Sequence, residues 1–253
     1  MQTWHATYLM GNNLVTNLLN IKEKSKVDKK KTKAPRDYIS PSDLTFLWSE
    51  CKKCFWLKYN EGISRPGFMP LVGPMSAFQE KLYRERPTRD LAFNLAPGVV
   101  SNWGETIESV PLNVNGKPSK WRIKGKYDIV ITFDDGRIGL IDCKVTSSEM
   151  DESKVDLYWP QLEAYVFALE NPLNGEGKIA SETGLLMWQI SGANTDHIDQ
   201  FIFTTNKLYL SAGRNPKKFE TFIAGVIEVL DGDMPESGSA CPSCKFVEKR
   251  IKV

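Results

Sequence analysis

Four of the five cysteines fall into two C-x-x-C pairs, Cys51/Cys54 and Cys241/Cys244, with 186 residues between them. No export signal is read at the start of the chain: Asn12, Asn13, Thr16, Asn17 and Asn20 interrupt its apolar residues. Paired thiols in a chain without such a signal point to metal ligation or redox chemistry rather than to structural disulfides. Four thiolates satisfy a tetrahedral Zn²⁺ or a [4Fe–4S] cluster, and the spacing is compatible with both. Either would tie an early helix to the tail and close a long loop, so any fold must bring those two places together. The fifth cysteine, Cys143, reads as a small buried residue.

The loop so closed is large enough for an ordinary core. The chain has 253 residues, 41% hydrophobic and 25% charged, which excludes collagen-like, coiled-coil and wholly disordered classes. No run of 18 apolar residues occurs, so no membrane span is expected, and a cytoplasmic location is. The net charge of +2 hides an asymmetry. Lys22 to Arg36 holds eight basic and two acidic residues, which leaves the remainder at −4. Residues 1–36 therefore read as a flexible basic leader, either a solvated linker or an arm that attracts nucleic acid. An ordered domain is expected over 37–253.

Ser40-Pro41-Ser42-Asp43 has the form of a capping box with proline at the first helical position, so a helix carrying Cys51 and Cys54 is expected to about Tyr59. A second helix is expected over 74–86 with Met75, Phe78 and Leu82 as its apolar stripe. Strands are expected over Glu105–Val114, Trp121–Phe133, Arg137–Val145, Gly184–Ser191 and His197–Thr204. Helices are expected over Asp156–Glu170, with Pro160 in the first turn, and over Lys217–Leu230. The order describes an α/β fold, a mixed sheet flanked by helices.

The hairpin between 121 and 145 carries the chemistry. A three-residue loop, Asp134-Asp135-Gly136 with Gly136 left-handed, pairs Phe133 with Arg137. The same register sets Asp128 opposite Asp142, their Cβ atoms about 5 Å apart on one face. Lys144 follows on that face. Two carboxylates so close among apolar neighbours require a shared proton or a cation between them. Oxygen donors of this kind suit Mg²⁺ or Mn²⁺, and a lysine beside them can stabilise charge developing on a phosphate. This is equipment for metal-assisted phosphodiester hydrolysis. A hairpin whose Asp and Lys merely face solvent is the plainer alternative.

Gly125-x-x-Asp128, Asp142-Cys143-Lys144 and Gln161-x-x-x-Tyr165, in that order, resemble the PD-(D/E)XK nucleases of the RecB type. Ser40-Pro41-Ser42-Asp43-Leu44 leading into a cysteine, with cysteines again near the C-terminus, is similar to the CRISPR-associated RecB-like exonucleases and the AddB-type iron–sulfur nucleases. The resemblance spans roughly residues 38–246 through scattered motifs. It implies a restriction-endonuclease-like fold. It also implies Asp128, Asp142 and the Cys143 backbone carbonyl as ligands of Mg²⁺ or Mn²⁺, and Lys144 as the catalytic lysine. Gln161 and Tyr165 would orient the DNA strand or its phosphate.

The histidine of the RecB-type pattern, on a helix after a glycine, has no counterpart, for the only histidines are His5 and His197. Glu80, on the segment Gly73–Glu80, is the candidate oxygen ligand in its place. In the resembled iron–sulfur nucleases one cysteine precedes the core and three follow; here the split is two and two. The resemblance favours [4Fe–4S] over Zn²⁺ at these four cysteines. The implied activity is that of a metal-dependent, exonuclease-like deoxyribonuclease acting on single strands or DNA ends. The implied setting is repair, recombination or CRISPR-type processing, with a helicase or other such proteins as partners. The absent histidine keeps open a second reading, a catalytically weak or inactive nucleic-acid-binding module of the same fold.

Overall fold

A computed structural model describes residues 36–67, 71–194 and 202–251. The basic leader up to residue 35, His5 and His197 lie outside the described residues.

In chain order the strands are β1 (Tyr38–Ile39), β2 (Gly98–Trp103), β3 (Thr106–Glu108), β4 (Asn113–Val114), β5 (Lys117–Pro118), β6 (Arg122–Lys126), β7 (Ile129–Phe133), β8 (Ile138–Thr146), β9 (Ala180–Asn194) and β10 (Ile202–Ala212). The helices are α1 (Phe46–Glu50), α2 (Lys52–Asn60), α3 (Val72–Tyr83), α4 (Thr88–Leu91), α5 (Ser153–Glu170), α6 (Pro216–Asp231) and α7 (Pro242–Ile251), with a 3₁₀ turn at Pro41–Leu44 before α1.

The main sheet runs β10-β9-β8-β7-β2. Its pairs are antiparallel except β8 with β9, which are parallel and joined through α5. One face of the sheet packs Val130, Leu140, Leu185 and Met187 against Leu162, Tyr165 and Val166 of α5. The other packs Ile129, Ile131, Ile141 and Cys143 against Tyr83 and Leu91. A further core on the far side of α5 joins Ala164 and Ala168 to α1, α2, α6 and the buried cysteines. α5 is thus enclosed on both sides, as its run of buried residues requires. No helix among the described residues is long and apolar enough to cross a membrane.

The structure departs from the sequence expectations at several places, each with a physical cause. The early helix is interrupted. Cys51 is extended, at φ −162° and ψ 106°, ending α1 and capping α2. The expected capping box does not form. The Ser40 hydroxyl meets Ser42 instead, and the Asp43 carboxylate accepts from Tyr59 Oη (2.6 Å) and Lys58 Nζ (2.7 Å). A buried tyrosine hydroxyl needs a partner more than an accessible helix end does.

Trp121–Phe133 is two strands in two sheets rather than one, and Glu105–Val114 likewise yields β3 and β4. α5 begins at Ser153, so Pro160 lies inside the helix and removes one backbone hydrogen bond. The last strand is displaced toward Ala212, and the tail forms α7. On α3 the expected stripe points outward. Phe78 is 56% exposed and Leu82 is also exposed, whereas Gln79 and Tyr83 are buried. The helix is amphipathic as read, but the sheet takes up a neighbouring face of it.

Candidate active site and four-cysteine centre

The hairpin forms with the expected register. Ile129 pairs with Ile141 and Thr132 with Ile138. Phe133 N–H donates to the Arg137 carbonyl, and Gly136 has φ +84°. Continued one residue beyond β7, this register sets Asp128 opposite Asp142.

Asp128 itself lies outside the ladder. The chain passes between the two sheets here, with Tyr127 N–H bonded to the Glu105 carbonyl and the Asp128 carbonyl to Gly104 N–H. The β8 backbone opposite is therefore released, and Cys143 N–H donates to Asp128 Oδ2 at 2.7 Å. The N–H and C=O of a single strand residue point to the same edge, so the Cys143 carbonyl faces this side with its N–H.

Asp142 is 4% exposed and Gln161 3%. Gln161 Nε2 donates to Asp142 Oδ1 at 2.7 Å, while Lys144 Nζ lies 2.6 Å from Oδ2. That ion pair leaves Oδ2 without a hydrogen-bond donor aligned on it. Thr45 Oγ1, before α1, donates to Gln161 Oε1 at 3.5 Å. Tyr165 is also buried, and its hydroxyl donates to the Lys126 carbonyl at 2.6 Å. Gln161 and Tyr165 are thus both buried and bonded within the chain, one to Asp142 and the other to the Lys126 carbonyl.

Gly125 explains its place in the motif. A Cβ there would lie 2.7 Å from Pro41 Cδ and 3.0 Å from Tyr165 Cε1. Gly125→Ala is expected to destabilise the fold by about 1–3 kcal/mol, read as a lowered urea midpoint; an unchanged midpoint would remove the packing argument.

Glu80 approaches from α3. Its carboxylate pairs with Lys126 Nζ at 2.8 and 3.0 Å and packs on Gly104, whose φ is +62°. Burial, Asp142 and Glu80 together raise the Asp128 carboxyl to about 7 against the pull of Lys144 and the Cys143 N–H. Lys144 is pulled down by burial, but Asp142 and Asp128 more than compensate, so it holds its proton more firmly than a free lysine. Burial, with Asp128 and Asp142 adding to it, keeps Cys143 a neutral thiol.

A stability prediction follows from Asp128. In the fold its carboxyl keeps a proton to about pH 7, whereas an unfolded chain releases it near 4. The folded state binds more protons in that window, so stability falls as pH rises from about 4 to 7. Asp128→Asn should stabilise the protein at pH 8 in magnesium- and manganese-free buffer by on the order of 2 kcal/mol, and flatten the profile. Urea melts at pH 5 and 8 test this; a loss of stability at pH 8 would contradict it.

The second centre joins α2 to α7. The Sγ atoms of Cys51, Cys54, Cys241 and Cys244 all lie within 4.8 Å of one another, and none is in a disulfide. Individual separations are 3.8 Å (Cys51–Cys244), 3.7 Å (Cys54–Cys241) and 3.6 Å (Cys54–Cys244). The break at Cys51 sets its sulfur over the start of α2. Burial there raises the Cys51 thiol, but N–H groups of Cys54 and Gly238 outweigh it and bring it down to about 7. Cys54 is raised by burial first and by the neighbouring sulfurs after it. The Cys51 thiol is thus ready to ionise, whereas burial holds those of Cys54 and Cys244 up.

Two neighbours were not singled out from the sequence. Tyr158 precedes Gln161 by three and Tyr165 by seven, a helical spacing that places it on the same face; its ring centre lies 5.0 Å from Lys144 Nζ. Thr45 is 116 residues from its partner Gln161 and carries no local signal.

The family profile of the PD-(D/E)XK nuclease superfamily matches residues 71–248. Comparison with curated proteins returns no match. Among solved structures, one titled "Crystal structure of SSO0001" is similar at 13% identity and a TM-score of 0.43, covering 82% of this chain and 87% of that one. With more than half its length matched by the profile, the chain belongs to the PD-(D/E)XK nuclease superfamily.

Proposed function

We propose that the protein is a divalent-metal-dependent deoxyribonuclease that hydrolyses phosphodiester bonds in exonuclease fashion, on single strands or DNA ends. The observation that carries this reading is the juxtaposition of the half-buried Asp128 and the buried Asp142 with the Lys144 ammonium beside them. The donor set fits a hard cation. Asp142 Oδ2 is buried with only the Lys144 ammonium beside it, and Asp128 holds a proton that a cation would replace. Mg²⁺ or Mn²⁺ would be held by Asp128, Asp142 and the Cys143 carbonyl, with Glu80 next in reach. An ion there supplies Lewis acidity toward a phosphate oxygen and a lowered pKa for water.

The remaining work falls to the chain's own groups. Gln161 fixes the rotamer of Asp142, and Cys143 N–H fixes that of Asp128. Lys144, held in its charged form, places a positive charge beside the phosphate as negative charge develops on it. Glu80 supplies a carboxylate from α3, as an oxygen in place of the absent histidine. This supports an active site over a non-hydrolytic binding module.

The test is cleavage of end-labelled single-stranded and duplex DNA with Mn²⁺ or Mg²⁺. Degradation from an end, abolished by EDTA, is expected. Inactivity with both metals on both substrates would favour the binding module.

At the cysteines the sulfur spacing supports Zn²⁺ over the [4Fe–4S] cluster that the resemblance favours. Ligands about 2.3 Å from one tetrahedral ion lie about 3.8 Å apart, close to the three separations of 3.6–3.8 Å, with every pair inside 4.8 Å. A cluster binds each thiolate through a different iron, which spreads the sulfurs further apart. Colourless protein with one zinc per chain is expected. Brown protein with iron and inorganic sulfide would overturn this assignment.

A further inference from the structure

Phe46, the first residue of α1, leaves 45% of its surface exposed. An exposed phenylalanine alone means little, but this one has a defined setting. Its ring stands edge-on to Tyr158, centroids 5.7 Å apart at 86°. The centre of the Tyr158 ring is in turn 5.0 Å from Lys144 Nζ. Phe46 is therefore two contacts from the ammonium assigned to the phosphate.

The segment that carries Phe46 is anchored on both sides. Thr45, before it, donates to Gln161, the residue that orients Asp142. Ser49 Oγ donates to the Thr45 carbonyl at 2.7 Å. Leu47, after it, is in the core, and Cys51 ends the helix within the four-thiolate centre. An apolar ring is thus held in water at the edge of the site by the same contacts that order the carboxylates.

We infer that Phe46 and Tyr158 form a stacking platform for an unpaired nucleobase next to the phosphate that Lys144 faces. The inference rests on the nuclease reading for the identity of that phosphate, and it narrows the substrate to single-stranded DNA or a frayed end. An aromatic face accepts any base, whereas within a duplex the base faces are already covered by their neighbours. The four-cysteine centre thereby gains a part in substrate binding, because it roots the helix that presents Phe46.

The test measures binding, without cleavage, in the full chain carrying Lys144→Ala. Its ligands are a single-stranded oligonucleotide with 2-aminopurine at successive positions and a blunt duplex of equal length. Phe46→Leu keeps the apolar contact with Tyr158 but removes the flat face. It should weaken single-strand binding about tenfold, leave duplex binding within about twofold, and abolish the 2-aminopurine quenching seen at one position. Phe46→Trp should restore both affinity and quenching. Equal single-strand affinity in Phe46→Leu, or an equal loss on duplex, would overturn the platform. If the protein with Lys144 intact cleaves neither DNA while the binding pattern holds, the hydrolytic reading falls and the platform stands.

Discussion

Cys241→Ser lowers the stability of the protein by about 5 kcal/mol and releases α7 to protease digestion. The magnitude is that of opening a cross-linked loop of nearly 190 residues, since Cys54 and Cys241 are 187 positions apart. α7 itself contributes little to hold the tail. None of its residues from Pro242 to Ile251 is buried, and Phe246, Val247 and Ile251 face solvent. Cys241, by contrast, is 1% exposed and packs in the core with α2 and α6. Removing one thiol therefore disconnects the tail and leaves three sulfurs where the proposed tetrahedral ion takes four. A strong chelator should reproduce the effect in the unmodified chain. Limited proteolysis should then cut within residues 232–251 while α6 stays protected. An unchanged melt in both experiments would mean that the thiols are bystanders.

Lys144→Ala reduces DNA cleavage by about a thousandfold while the protein still folds. Lys144 lies near the end of β8 with 23% of its side chain exposed and is not among the core residues. Its loss removes the positive charge proposed to face the phosphate and one counter-charge to the carboxylate pair. Asp128 should then hold its proton to a higher pH, because Lys144 is what lowers it most. Asp142→Ala is expected to abolish cleavage as well, with an added effect on folding because Gln161 Nε2 loses its partner. Circular dichroism and urea melts alongside the cleavage assay separate the two. Cleavage by Lys144→Ala within tenfold of the parent would remove the lysine from the chemistry.

Parts of this organisation could be read locally. The Asp134-Asp135-Gly136 loop dictates a register because a left-handed glycine closes one type of turn. From that register the Asp128–Asp142 opposition and the position of Lys144 follow by alternation alone. The spacing of Gln161 and Tyr165 put them on one helical face for the same geometric reason, but their partners were not legible. Gln161 could equally have met a substrate, and only the packing of α5 on β8 turns its amide to Asp142. Glu80 was identified as a candidate from its place on a helix, yet its pairing with Lys126 depends on where that helix lies. The outward turn of Phe78 and Leu82 shows the limit. Periodicity reveals that a helix has an apolar face, not which neighbour will cover it.

The type of the longer elements, the hairpin register and the spacing of the cysteines within each C-x-x-C were decided by the sequence itself, because backbone sterics and side-chain alternation act over a few residues. The crossing of the chain between two sheets at Tyr127–Asp128, the break in the helix at Cys51 and the approach of Thr45 to Gln161 were decided by the tertiary structure. Each depends on burying distant surfaces together, and no local pattern records which surfaces those are. The cysteines stand between the two cases. Their type and spacing announced a four-cysteine cluster, while the separation of their sulfurs, which bears on the ion that fits them, exists only once α2 and α7 have met.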